Sequence, residues 1–264
     1  YAGGRPGTPS VVLVARDGSQ RLVLATGDVT GVPDVSPDGR TVAFGAGTRV
    51  DVYTPGSSAG IPVGMLGRFD APRGYSALRE EDRAELISGT TAALLGLVDV
   101  DTDPVRSREA ILVSQILSQA WAAGRGFDLA GLIGLIADPP MERLGVLDLE
   151  TFFPSKARQK LALRLNGLVA SPSFAPWLQG APLDVEALLA PDPAGSRTSV
   201  FYVAHLDDAE RMAFITLLLD QIVAWMRDQP GTGALRALLY FDEVFGYLPP
   251  HPKSPPSKRP LLTL

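Results

Sequence analysis

Ala237-Leu238-Leu239-Tyr240-Phe241-Asp242-Glu243 is the stretch on which the fold turns. An unbroken apolar and aromatic run without Gly or Pro fits a short strand buried in a sheet, and here it ends in two adjacent carboxylates. At the carboxyl end of a strand, an Asp can order the water shell of a divalent cation and a Glu can polarise an attacking water. No phosphate-binding loop of form G-x-x-x-x-G-K-[ST] occurs between Tyr1 and Leu264. The stretch Gly3-Gly4-Arg5-Pro6-Gly7-Thr8 has no Lys and no strand before it.

The surrounding text narrows the meaning of this run. Upstream, Ser199-Val200-Phe201-Tyr202-Val203-Ala204-His205-Leu206-Asp207-Asp208-Ala209-Glu210-Arg211-Met212 leads into a long helix, followed by Gln229-Pro230-Gly231-Thr232. Downstream come Phe245-Gly246-Tyr247-Leu248-Pro249-Pro250 and Pro255-Pro256-Ser257-Lys258-Arg259-Pro260-Leu261-Leu262-Thr263-Leu264. Further back stand Asp103-Pro104-Val105-Arg106-Ser107-Arg108-Glu109 and Val52-Tyr53-Thr54-Pro55-Gly56-Ser57-Ser58-Ala59-Gly60-Ile61-Pro62.

The Asp-Glu run has the Walker B pattern of P-loop ATPases, and in this order the segments from Val52 onward resemble the HerA/FtsK-type ATPases, DNA-translocating ring motors. The resemblance implies a RecA-like α/β core and an ATP-hydrolysing DNA translocase or helicase of the HerA type. It makes Asp242 the carboxylate associated with Mg²⁺ and ATP through water, and Glu243 the catalytic base. It further implies ATP and Mg²⁺ as cofactors, DNA, a homo-oligomeric (hexameric) ring and a nuclease as partners. The chain begins at Tyr1 rather than Met, and the resemblance implies a further helix and strand beyond Leu264 and the phosphate-binding Lys and Ser/Thr upstream, so a fragment at both ends is expected, with little or no activity by itself. The competing class is a non-catalytic interaction module.

Composition bounds the alternatives. A chain of 264 residues with 45% hydrophobic content can bury a substantial core in one or two domains. The absence of Cys excludes disulfides, thiolate metal sites and Cys nucleophiles, and two His cannot by themselves build a His-based zinc site. No apolar stretch approaches the roughly 20 residues of a membrane span, and no signal-peptide pattern opens the chain, so a cytoplasmic setting is expected and no membrane partner. A net charge of −5 gives no basic footprint for nucleic acid, although a ring motor can hold DNA with a few pore loops.

Residues 1–48 read as β-structure. Val11–Ala15 and Arg21–Ala25 flank Arg16-Asp17-Gly18-Ser19, a hairpin signal, and Ser36-Pro37-Asp38-Gly39 precedes a further strand at Thr41–Phe44. This spacing resembles one blade of a TolB-type β-propeller. A lone blade cannot bury both faces, which leaves a remnant of a larger array, a small module packed on the ATPase, or a composite of unrelated pieces. Residues 49–74 would begin the ATPase-like region.

Residues 75–195 read as a helical subdomain, with apolar residues at helical spacing over Leu78–Leu97, Asp103–Gly124 and Leu129–Ile136. Pro104 stands where an N1 proline belongs and Asp103 could cap its helix. Ser155–Ala170 is a further amphipathic helix carrying Lys156, Arg158, Lys160 and Arg164. These are a solvated cationic face or a contact for DNA or a neighbouring subunit.

Residues 196–264 form the last core segment. Thr198–His205 suits a parallel strand buried on both faces, and Asp207-Asp208-Ala209-Glu210 has the D-x-x-E arrangement of a helix start. The helix that follows, Asp208–Met226, is apolar nearly all round and should be covered on more than one side. His205 is either a hydrogen-bonded structural residue or a ligand contact. Gly56-Ser57-Ser58-Ala59-Gly60 matches the G-x-S-x-G elbow of serine hydrolases with Ser58 as nucleophile, but Ile61-Pro62-Val63-Gly64 cannot supply the helix that an elbow needs. The expected architecture is α/β: a partial RecA-like P-loop core, an inserted helical subdomain and an N-terminal β-segment.

Overall fold

The computed structural model describes residues 9–16, 19–26, 34–35, 42–43, 48–190, 196–232, 237–241 and 244–264. It is a mixed α/β chain, richer in helix than in strand. The turns expected at Asp17-Gly18 and Ser36–Gly39 lie outside the described residues, as do Asp242 and Glu243.

Strands β1 (Pro9–Arg16) and β2 (Ser19–Thr26) pair antiparallel in hairpin register, with Arg16 opposite Ser19. The short strands β3 (Asp34–Val35) and β4 (Val42–Ala43) pair with each other. Strand β5 (Thr48–Tyr53) and the two-residue β6 (Val63–Gly64) follow. Helices α1 (Glu80–Gly96), α2 (Arg108–Ala122) and α3 (Leu129–Ala137) come next, then the small hairpin β7 (Arg143–Leu144) and β8 (Leu147–Asp148). Helices α4 (Leu149–Phe152), α5 (Ser155–Ala170) and α6 (Ala175–Gln179), strand β9 (Ala181–Pro182) and helix α7 (Val185–Leu189) complete the long excursion. The chain returns through β10 (Ser196–Tyr202), α8 (Asp208–Asp228), β11 (Leu238–Tyr240) and α9 (Lys258–Thr263).

β10 lies parallel to β5, Val200 opposite Val52, so residues 54–195 form one crossover between two neighbouring parallel strands. That is the connection a parallel pair requires, here swollen by the helices α1 to α7. β9 lies parallel to β6 and ties the end of the excursion to its start. β2 pairs antiparallel with β10, which brings the N-terminal hairpin into the main sheet.

Two expectations about the core segment part company. β10 is buried as expected, with Thr198, Ser199 and Phe201 at 0% exposure. β11, expected to be a buried strand, pairs antiparallel with β2, and Leu238 and Tyr240 are 38% and 43% exposed. Since β10 and β11 both oppose β2, the two run in the same direction. A three-residue strand presents two side chains to one face and one to the other, and among the described residues nothing covers the outer two fully.

Helix α8 is the hub of the core, with Phe214, Leu218 and Leu219 inaccessible to solvent. Its start holds the expected capping box: Asp207 accepts from the Glu210 amide at 2.8 Å, and the Glu210 carboxylate accepts from the Asp207 amide at 3.1 Å. On one side Phe214 meets Phe201 of β10 (centroids 5.6 Å apart) and Trp177 of α6 (6.2 Å); α1 packs elsewhere along the helix. Burying leucines of this kind stabilises by about 1.5–3 kcal/mol each, which explains an all-round apolar helix.

Helix α2 begins later than its sequence suggests. Asp103 does accept backbone hydrogen bonds, from Val105 and Arg106, but they close an isolated turn. The cap of α2 is Ser107, whose hydroxyl accepts from the Ala110 amide at 3.1 Å. Both side chains offer cap oxygens, and the serine lies directly before the buried run Ala110, Leu112, Val113 and so sets the helix start.

Candidate functional site

The parallel strands β5 and β10 end on the same edge, the edge where open α/β sheets bind ligands. Two loops meet there. After β5 the chain turns through Thr54–Gly60 and bridges back beside the strand, Ile61 donating to the Val52 carbonyl at 3.0 Å. Gly56 has φ +68°, and a Cβ there would also strike the indole of Trp177, so only glycine fits. After β10 the chain passes through His205 into the capped start of α8.

His205 joins the loops. Its Nε2 lies 2.8 Å from the Pro55 carbonyl and its ring stacks on Tyr202 with centroids 5.6 Å apart, which accounts for the histidine structurally. Arg211 caps the same corner by donating to the Leu206 carbonyl at 2.8 Å.

The loop itself is closed by its own hydrogen bonds. Ser57 donates its amide to the Thr54 carbonyl, Ala59 to the Ser57 hydroxyl and Gly60 to the Thr54 hydroxyl. These amides are therefore spent, and no lysine stands among them to cradle a phosphate. Ser58 sits at the exposed tip of this turn, with a β-bridge rather than a helix behind it, so it lacks the geometry of a hydrolase nucleophile.

The four basic residues of α5 do not form one face. Arg158 is 7% exposed and turned inward, where Nη1 donates to the Phe153 carbonyl at 2.7 Å and to the Glu150 carboxylate at 3.2 Å. It fastens the turn preceding α5 and is removed from the proposed DNA or subunit contact, because its position falls on the helix side that carries Leu161 and Leu165. Lys156, Lys160 and Arg164 are exposed. Lys160 and Arg164 line a shallow groove of about 480 Å³ opposite Asp99, Asp101 and Glu109, so their surroundings are mixed in charge rather than uniformly cationic.

A second concave site was not anticipated. Asp220 lies in the middle of α8 at 4% exposure, its Oδ2 has no hydrogen-bond partner, and it lines a pocket of about 310 Å³ between α1, α8 and the C-terminal segment. Burial, reinforced by the nearby Glu85 carboxylate, pushes its carboxyl well above the usual range, against the opposing pull of Arg227. The signal was present in Ile215-Thr216-Leu217-Leu218-Leu219-Asp220-Gln221-Ile222, where an acid interrupts a run too apolar to be a surface helix.

Around it stands an ion-pair group. Arg227 reaches Asp82 at 3.0 Å and Glu85 at 3.5 Å, Arg79 holds Asp82 at 2.9 Å, and Arg259 approaches Glu85 at 3.5 Å. The hydrogen bond from Arg79, with the charge of Arg227, keeps Asp82 below the usual carboxylate range. Among the described residues no group of three or more acidic or histidine side chains could hold a metal ion, and no helix is long and apolar enough to cross a membrane.

Comparison with known proteins brings no match: no family description, no curated protein and no solved structure is similar to this chain.

Proposed function

We propose that this chain is part of an ATP-driven DNA translocase or helicase of the HerA type, built on a RecA-like core. The observation that carries the proposal is the parallel pair β5–β10 with its carboxyl ends joined through His205 and Pro55, followed by a capped α8 and by β11 running in the direction of β10. In that order the acids after Phe241 follow a strand directed toward the same edge as β5 and β10. Asp242 is assigned to Mg²⁺ and ATP, Glu243 to orienting water, and DNA and a homo-oligomeric ring are the partners.

The sequence holds no phosphate-binding loop of form G-x-x-x-x-G-K-[ST], and in the turn after β5 the amides of Thr54, Ser57, Ala59 and Gly60 are already engaged by protein acceptors. On this reading the phosphate-binding loop comes from outside these 264 residues. The experiment uses the full-length protein in which that loop accompanies this chain. Glu243→Gln should lower DNA-dependent ATP hydrolysis by a factor on the order of 10²–10⁴ while nucleotide binding persists, whereas Asp242→Asn should also weaken Mg²⁺-dependent binding. Turnover of Glu243→Gln within a few-fold of the parent would overturn the assignment.

One observation favours a second reading, a non-catalytic interaction module: β11 pairs only with β2 among the described residues and leaves Leu238 and Tyr240 exposed. A full-length protein that binds partners but neither binds nor hydrolyses ATP would decide for it.

A further inference from the structure

Helix α5 packs on α3 and buries Leu161, Leu165 and Leu168. Its other side is exposed, and there Lys156, Lys160, Leu163 and Arg164 follow one another at helical spacing. Leu163 stands among these cations at 70% exposure. Among the described residues no hydrogen bond or ion pair holds the Lys160 or Arg164 side chain. Gly167, one turn beyond Leu163 on the same side, has no atom within 4 Å of where a Cβ would stand. Glycine inside a helix costs about 1 kcal/mol relative to alanine, and no contact within the fold requires it at this position. A bare backbone there lets a second helix approach closely.

The other wall of the groove beside α5 is acidic. Asp99 and Asp101 come from the loop between α1 and α2, and Glu109 from the first turn of α2. These acids make only local contacts: Asp101 accepts from the Asp103 amide at 3.1 Å and Glu109 from the Ser107 hydroxyl at 3.3 Å. Among the described residues no ion pair closes across the groove, which is about 480 Å³ in volume and keeps the two walls apart. A DNA backbone that reached Lys160 and Arg164 would be repelled by the facing carboxylates. The surface instead carries both halves of its own electrostatic complement, side by side.

We propose that this face of α5 binds the same face of a second copy of the chain about a two-fold axis. The basic wall of each copy lies against the acidic wall of the other, with Leu163 and Gly167 of the two helices between them. A two-fold contact uses each pairing twice, so Lys160 and Arg164 of both copies find carboxylates that they cannot reach within their own chain. Such a contact closes at two copies and is therefore separate from any ring interface, which joins unlike surfaces head to tail. A shallow contact rimmed by charge belongs to the weak, salt-sensitive class.

The test is sedimentation equilibrium of the 264-residue chain over a range of concentrations. The expected result is a monomer–dimer equilibrium with Kd of about 1–100 μM at low salt, weakened at least tenfold in about 0.5 M NaCl. Lys160→Glu with Arg164→Glu makes both walls acidic, and Asp101→Lys with Glu109→Lys makes both walls basic. Each double variant alone should be monomeric, and an equimolar mixture of the two should recover a one-to-one dimer, because their walls are again opposite. A parent that stays monomeric, a dimer indifferent to salt or kept by either variant, or a mixture that does not associate would overturn the proposal. Assembly beyond two copies through these residues would also overturn it, since the contact would then be head to tail. Duplex DNA bound by the parent and lost in Lys160→Glu with Arg164→Glu, with self-association unchanged, would assign the face to DNA instead.

Discussion

Gly89 of α1 and the Asp220 carboxylate of α8 occupy one shared space, so that a Cβ on residue 89 would run into Asp220 Oδ2. α1 and α8 pack along each other and hold much of the core between them, so this contact couples a backbone choice in one helix to an ionisable group in the other. A glycine in a helix interior costs about 1 kcal/mol relative to alanine, and here the acid opposite makes it necessary.

Gly89→Ala should therefore lower stability by about 1–3 kcal/mol in spite of its better helix propensity, the usual cost of overfilling a packed contact. In the Asp220→Ser background the same change should cost nothing or stabilise. Urea unfolding of the parent, the two single variants and the double variant measures the coupling. A cost of Gly89→Ala that is the same with and without Asp220→Ser would mean that the two residues do not share the space.

The raised carboxyl of Asp220 makes stability pH-dependent in a definite direction. Its folded form keeps a proton that the unfolded chain releases near pH 4, so its contribution is fully present below that pH and is lost as pH rises through the folded value. Relative to Asp220→Asn, the parent should lose up to about 1.4 kcal/mol per pH unit across this window. Denaturant melts at pH 5 and pH 8 check it, and a difference between the two proteins that does not change with pH would refute it. Asp82 works in the opposite sense: its depressed value gives stability above pH 4 that fades as pH falls.

Arg158 and its neighbours on α5 separate structural from surface charge. Arg158→Ala leaves the Phe153 carbonyl without its donor and the Glu150 carboxylate with only the Ser155 amide, and should cost about 1.5–3 kcal/mol, the range for a hydrogen bond from a charged group. Lys156→Ala, Lys160→Ala and Arg164→Ala should each stay within about 0.5 kcal/mol. Thermal unfolding of the four variants distinguishes them. If Arg158→Ala melts with the surface variants, the inward bonds contribute nothing to the fold.

The 264-residue chain should bind Mg·ATP only weakly, because its sequence has no phosphate-binding loop with a Lys and the Ser57, Ala59 and Gly60 amides after β5 are already bonded. A titration that gave a sub-micromolar Kd would expose a phosphate site elsewhere in the chain.

Local signals were legible in the sequence. The capping box at Asp207 and Glu210, the helices α5 and α8, the buried strand β10 and the misfit of Ser58 as a hydrolase elbow all follow from periodicity, cap chemistry and glycine or proline placement, which act over a few residues. Tertiary structure decided what depends on partners distant in sequence. It paired β11 with β2 and left Leu238 and Tyr240 exposed, turned Arg158 inward toward Phe153, and made Ser107 rather than Asp103 the cap of α2. It also set Asp220 against Gly89 and a C-terminal wall of prolines. Strand neighbours and pocket walls are chosen by packing across the whole chain, and an apolar run or a lone acid carries no record of which surface will meet it.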